Sequence, residues 1–201
     1  MSVQPSLEQA RDEIDCEDDL QAWMESGMES NGWTVLREVT ARHKNVRADI
    51  IAKHDEIGAI GIECKYVTGG PVVAGHAASQ VCNNYAGEKF FQWDIDAWGI
   101  CLFGASFEPR SMIDKGEFDN EEHYLNCIRT KRNVANTTQR VVNGLGIGFV
   151  TTNKDRLVMQ FLPTGRENHI PLFSVDNSIP PDYFRESDIE RISKLVKSRR
   201  P

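Results

Sequence analysis

The chain has 201 residues, of which 40% are hydrophobic and 26% charged, the balance of a soluble globular protein long enough for one domain with a real core. No apolar run approaches the ~18–20 residues that span a bilayer, and the acidic opening MSVQPSLEQARDEIDCEDDL has no basic-then-apolar leader. This argues against a secreted or membrane protein and for a cytoplasmic one. The net charge of −7 is unevenly placed: residues 1–31 carry nine acidic residues and one basic residue, Arg11, while the remaining 170 carry 22 basic and 21 acidic. The body is close to neutral, so the acidic sum does not exclude a nucleic-acid partner.

From about Asp15 to Ser30 the apolar residues Leu20, Trp23, Met24 and Met28 recur at helical spacing, and Asn31-Gly32 supplies a left-handed stop. Residues 33–39 alternate as a strand. Residues 46–53 (VRADIIAK) and 58–66 (GAIGIECKY) read as two further strands joined by a turn, a hairpin. A break at 68–71 precedes a helical stretch at 73–87, and residues 96–103 read as a buried strand. Residues 104–124 are loop-like. A second helical stretch at about 124–143 carries Arg129, Lys131, Arg132 and Arg140 without an acidic residue between them. Strands at 147–152 and 156–162 follow, then a Pro- and Asn-containing segment and a basic terminal helix, 186–198. The expected fold is α/β, a mixed β-sheet flanked by helices with an αβββαβ core at about 15–103 and C-terminal strands and a helix at about 104–201, all within one domain.

Five cysteines (Cys16, Cys64, Cys82, Cys101, Cys127) are odd in number and include no CxxC pair, so reduced thiols are expected in place of a disulfide framework or structural zinc. No Gly-Lys-Ser/Thr phosphate loop, no Gly-x-Ser-x-Gly elbow and no HxxxH spacing occurs. Gly144-Leu-Gly-Ile-Gly148 precedes a strand instead of following one, which discards it as a dinucleotide loop.

The informative segment is RADIIAKHDEIGAIGIECKY, residues 47–66. Side chains alternate across a strand, so Glu63 and Lys65 share a face while Cys64 takes the other, and hairpin pairing brings Asp49 beside Glu63. A Glu-x-Lys triplet alone says little, since acidic residues are about 15% of the chain and roughly one such triplet arises by chance with nine lysines. Its context is informative. On an apolar central strand the charged residues must be paired, metal-bound or exposed on an uncovered face. Two carboxylates suit a hard divalent cation, which lowers the pKa of a bound water and offsets charge on a phosphate, and a lysine orients or deprotonates the attacking water and stabilises the transition state.

The run GWTVLREV…RADII…IGIECK resembles the PD-(D/E)XK nuclease superfamily of restriction-endonuclease-like fold, over roughly residues 17–103. It looks most like the archaeal Holliday-junction resolvase and the small phage or restriction-type branches. The resemblance implies a DNA endonuclease dependent on Mg²⁺, with Mn²⁺ as substitute, in which Asp49, Glu63 and the backbone carbonyl of Cys64 hold the metal and Lys65 is catalytic. Ala48 stands where the family's naming proline would be. Members of the family often bring a glutamate from the first helix, which here offers Glu17, Asp18, Gln21 and Glu25; Glu17 is the choice, with a solvated acidic face the alternative for each. Downstream, Gln80 and Tyr85 resemble the Gln-x-x-x-Tyr element of nucleases related to RecB, with one extra residue. In a regular α-helix a spacing of five rotates Tyr85 about 140° from Gln80. Gln80 is therefore the candidate contact to phosphate or water, sharing a face with His76 and Asn83 or Asn84, and Tyr85 is read as packing.

Arg129, Lys131, Arg132 and Arg140 suit a phosphate backbone or a solvated helix face, and Arg191, Lys194, Lys197, Arg199 and Arg200 have the same two readings. The four tryptophans are expected in the core. Two other classes stay open: a catalytically silent nucleic-acid-binding or scaffold protein on the same fold, and an interaction domain in which Asp49, Lys65 and Glu63 form only a structural ion cluster. DNA is the expected partner and a homodimer an open assembly.

Overall fold

The computed structural model describes residue 10 and residues 13–66, 71–103, 121–153, 156–161, 169–175 and 186–198. Arg199 and Arg200, the expected loop at 104–120 and the side chains of Lys131, Arg132, Arg191 and Cys127 lie outside the described residues.

Helix α1 (Glu17–Glu29) begins where Asp19 folds back to accept the backbone N–H groups of Asp15 and Cys16, each at 3.1 Å. Three acids in its first turn suit the positive end of the helix dipole. It ends as Asn31-Gly32 predicts: Gly32 is left-handed at φ 85° and Asn31 Nδ2 caps the carbonyl of Gly27 at 2.9 Å. Strands β1 (Thr34–Thr40), β2 (Arg47–His54) and β3 (Gly58–Lys65) follow as an antiparallel meander. Helix α2 (Pro71–Gln80) continues into a π-helical turn, Val81–Tyr85. A two-residue-per-strand hairpin, β4 (Lys89–Phe90) and β5 (Trp93–Asp94), leads to β6 (Ala97–Leu102), which pairs parallel to β3. Then come α3 (Glu121–Gly144), β7 (Gly148–Asn153), β8 (Arg156–Gln160), β9 (His169–Ser174) and α4 (Glu186–Ser198). The protein is α/β. Its seven-stranded mixed sheet runs β1-β2-β3-β6-β7-β8-β9, parallel at β3-β6-β7 and antiparallel on both wings.

Helices cover both faces. Leu20, Trp23, Met24 and Met28 of α1 and Ile192 and Val196 of α4 pack with Ile50, Ile60 and Ile62 on one side. Ala74, Ala77 and Ala78 of α2, Tyr85, and Val142 of α3 pack with Ile51, Ile100 and Phe149 on the other. Among the described residues no helix is long and apolar enough to cross a membrane.

Strand β9 was not expected from the sequence, because Pro171 interrupts its pattern. Among the described residues it is the last strand of the sheet, paired on one side, and a residue without an N–H is tolerated there. It also secures α1: Trp23 meets Phe173 edge-to-face at 5.0 Å, and Gly27 leaves so little room that a Cβ there would lie 2.6 Å from the Phe173 ring.

Candidate active site

The β2–β3 ladder runs from His54↔Gly58 to Ile50↔Ile62 and ends one step short of the position at which Asp49 would face Glu63. There the backbone N–H of Cys64 donates to Asp49 Oδ2 at 2.7 Å instead of to a strand carbonyl. Opening the ladder turns two acidic side chains inward at the end of two central strands. Both are buried, Glu63 completely.

Lys65 closes the cluster. Its ammonium lies 2.8 Å from Glu63 Oε1 and 3.6 Å from Asp49 Oδ2, and donates to Glu17 Oε1 at 3.1 Å. Asp49, Glu63, Lys65 and Glu17 therefore converge as the sequence suggested. The other members of the first-helix quartet are engaged elsewhere: Asp18 and Glu25 pair with Arg37 at 3.0 and 2.9 Å, and Gln21 Nε2 donates to Glu38 at 2.9 Å. Gln80 does not touch the carboxylates directly. Its amide donates to the hydroxyl of Tyr85, and that hydroxyl lies 2.9 Å from Glu63 Oε2 and 2.7 Å from the carbonyl oxygen of Arg47.

The expectation that Tyr85 only packs is corrected here. Residues 81–85 form a π turn, closed by the Ala86 N–H to the Val81 carbonyl at 3.0 Å, and five-residue spacing brings Gln80 and Tyr85 onto one face. The ring still packs, against Phe90 and Trp98 at 5.6 and 4.9 Å, but its hydroxyl belongs to the site. His76 is exposed and Asn83 turns to Ser79, so neither joins Gln80 at the cluster. Arg129 and Arg140 are exposed on α3, as are Lys194 and Lys197 on α4. Three of the four tryptophans, Trp23, Trp33 and Trp98, are buried as expected. The described cysteines Cys16, Cys64, Cys82 and Cys101 are free thiols.

The electrostatics follow from three carboxylates around one ammonium. Burial first, and the charge of Glu63 second, push the Asp49 carboxyl up to about 7. Burial alone would depress Lys65, yet the carboxylates of Glu63, Asp49 and Glu17 outweigh it and hold the ammonium well above its ordinary value. Burial, then the Glu63 charge, raises the Tyr85 phenol, so its single proton stays in place between two acceptors.

Among the described residues no three His, Cys, Asp or Glu side chains are grouped as a metal site. Asp49 and Glu63 are nevertheless two buried carboxylates, the donor chemistry a hard cation takes. Glu63 Oε1 is wholly buried and faces the Lys65 ammonium at 2.8 Å.

Sequence reasoning missed Glu38 and Arg47. Glu38 lies in β1 with a left-handed backbone, φ 56°, which costs a non-glycine residue about 1–2 kcal/mol, and it forms an ion pair with Arg47 Nε. No Gly or Asn marks that position, so the sequence carries no signal for it. Compared with known proteins, this chain matches no family model, no curated protein and no solved structure.

Proposed function

We propose that this chain is a DNA endonuclease of the PD-(D/E)XK kind that hydrolyses phosphodiester bonds with Mg²⁺, or Mn²⁺ in its place. The observation that carries the reading is the meeting of Asp49, Glu63 and Lys65 where the β2–β3 ladder opens, with both carboxylates buried. Asp49, Glu63 and the carbonyl of Cys64 would hold the cation, and Glu17 extends the acidic set. When bound, Mg²⁺ lowers the pKa of water and offsets negative charge at the phosphate.

The chain's own groups do the rest. The Cys64 N–H fixes one oxygen of Asp49, and the Tyr85 hydroxyl lies against one oxygen of Glu63, which leaves the remaining oxygens for ligation. In the metal-free site the carboxylates hold the Lys65 ammonium above its ordinary value. As a cation it orients water and stabilises the anionic transition state. Glu17 limits the positions the ammonium takes.

The test is cleavage of a labelled duplex with Mg²⁺. Asp49→Ala and Lys65→Ala are each expected to lower the rate by about 10²-fold or more with the circular dichroism spectrum unchanged. Wild-type rates in either variant would overturn the reading. One observation favours a second reading, an interaction domain in which the cluster is only a structural ion pair: the Lys65 ammonium already lies among all three carboxylates. Calorimetry with Mn²⁺ separates the two, because a cluster already satisfied by lysine takes up no metal.

A further inference from the structure

The geometry points to Arg47 as the residue that docks a DNA phosphate beside the scissile one, with Glu38 and Gln21 as its positioning residues. This rests on the nuclease reading. Strand β1 alternates normally at first: Val35 packs on the α1 side, Leu36 on the α2 side, and Arg37 returns to α1, where it pairs with Asp18 and Glu25. Alternation would send Glu38 to the α2 side. Instead its left-handed backbone keeps it on the α1 side, bonded to Gln21, and Val39 packs with Leu36 on the other face. The side-chain alternation slips by one residue while the pairing register is kept, and it does so in both strands, since Ala48 packs with Ile51 on the α2 side. The slip falls between the pairs Arg37↔Ile50 and Val39↔Ala48, opposite Asp49.

An exposed ion pair contributes little stability, less than a left-handed glutamate costs, so the Arg47 contact alone does not account for the slip. What the slip achieves is placement. Arg47 opens β2 two residues before Asp49, and because Ala48 packs on the α2 side, alternation puts Arg47 on the α1 side with Glu38. Its carbonyl is held by the Tyr85 hydroxyl and its Nε by Glu38, while the side chain is 65% exposed. With Nε engaged and no other ion pair among the described residues, the two Nη groups remain to meet a phosphate. A planar guanidinium donates two parallel hydrogen bonds to a phosphate, which a lysine does not. Gln21, almost fully buried, holds Glu38 and thereby the guanidinium. The site otherwise repels a polyanion, since Glu17, Glu38, Asp49 and Glu63 surround it, and Arg47 supplies an exposed cation at its edge.

The experiment measures cleavage of a labelled DNA duplex with Mg²⁺, and duplex binding in chelator across a salt series, for wild type, Arg47→Ala, Arg47→Lys and Glu38→Gln. Arg47→Ala is expected to raise KM about tenfold with kcat within about threefold, and to lower the slope of log affinity against log salt by about one charge. Arg47→Lys is expected to restore the slope but not the KM, because it returns the charge without the fork. Glu38→Gln is expected to raise KM with the slope unchanged, a split that loss of folding would not produce. Unchanged KM and slope in Arg47→Ala, while Asp49→Ala is inactive, overturns this proposal and leaves the nuclease reading standing. A lowered slope in Arg47→Ala, when the wild-type protein itself never cuts, overturns the nuclease reading and leaves the phosphate contact. Absence of any DNA binding overturns both.

Discussion

Removing the hydroxyl of Tyr85 isolates what the π turn contributes to the cluster. Tyr85→Phe keeps the ring against Phe90 and Trp98 and withdraws one oxygen from three neighbours: Gln80 Nε2, the carbonyl of Arg47 and Glu63 Oε2. The phenol has one proton for two acceptors, so only one donated bond is lost at a time. Glu63 decides the magnitude. It is fully buried and its Oε1 already faces the Lys65 ammonium at 2.8 Å, so the variant leaves Oε2 without its hydroxyl partner. A hydrogen bond to a charged group contributes about 1.5–3 kcal/mol and one to a neutral carbonyl about 0.5–1.5. A loss of about 2–3 kcal/mol is therefore expected in metal-free protein, read from urea unfolding with an unchanged slope. The same substitution in a Glu63→Gln background is expected to cost at least 1 kcal/mol less, because the charged acceptor is gone. A loss below about 0.5 kcal/mol in the single variant, or no coupling in the double, would refute the assignment of the hydroxyl to Glu63.

Two further outcomes follow from the same structure. The folded-state value of Asp49, about 7, lies above the ordinary carboxylate value of the unfolded chain, so the folded protein binds the extra proton between pH 4 and 7. Stability in chelator should be greatest near pH 4 and fall by a few kcal/mol, on the order of 1.4 per pH unit, as pH rises to about 7, and Asp49→Asn should flatten that fall; parallel pH curves for the two proteins would count against the burial argument. Gly27→Ala gains about 1 kcal/mol of helix propensity but drives a methyl to 2.6 Å from the buried Phe173 ring, an overpacking cost of about 1–3 kcal/mol. A net lowering of the melting temperature is expected, and a rise would show that α1 and β9 can separate freely.

Much of the cluster was legible because it rests on two local rules. Strand alternation puts Glu63 and Lys65 on one face, and a short hairpin turn puts Asp49 next to them. Glu17 was one of four candidates on the first helix, and counting back from Asn31-Gly32 did not single it out. What escaped were departures from those rules. Tyr85 was misread because the α-helical angle was applied across a π turn. Glu38 was invisible because a left-handed residue inside a strand normally announces itself as Gly or Asn. Strand β9 was passed over because Pro171 breaks the pattern that an interior strand would keep. In each case the sequence obeys tertiary contacts that no local window contains: Tyr85 its bond to Glu63, Glu38 its bond to Gln21, and β9 its packing under α1.

The π turn also bears on how a site of this kind tolerates change in chain length. A turn closed by a bond five residues apart is an α-helical turn with one residue added, and the irregularity ends where the Ala86 N–H meets Val81. One inserted codon can thus be absorbed within five residues without shifting β6 or anything beyond it. A pattern search that fixes the interval between glutamine and tyrosine would pass over this chain although the two side chains meet. Tolerance of that kind lets gene sequences drift apart in spacing while the atoms that face one another stay the same.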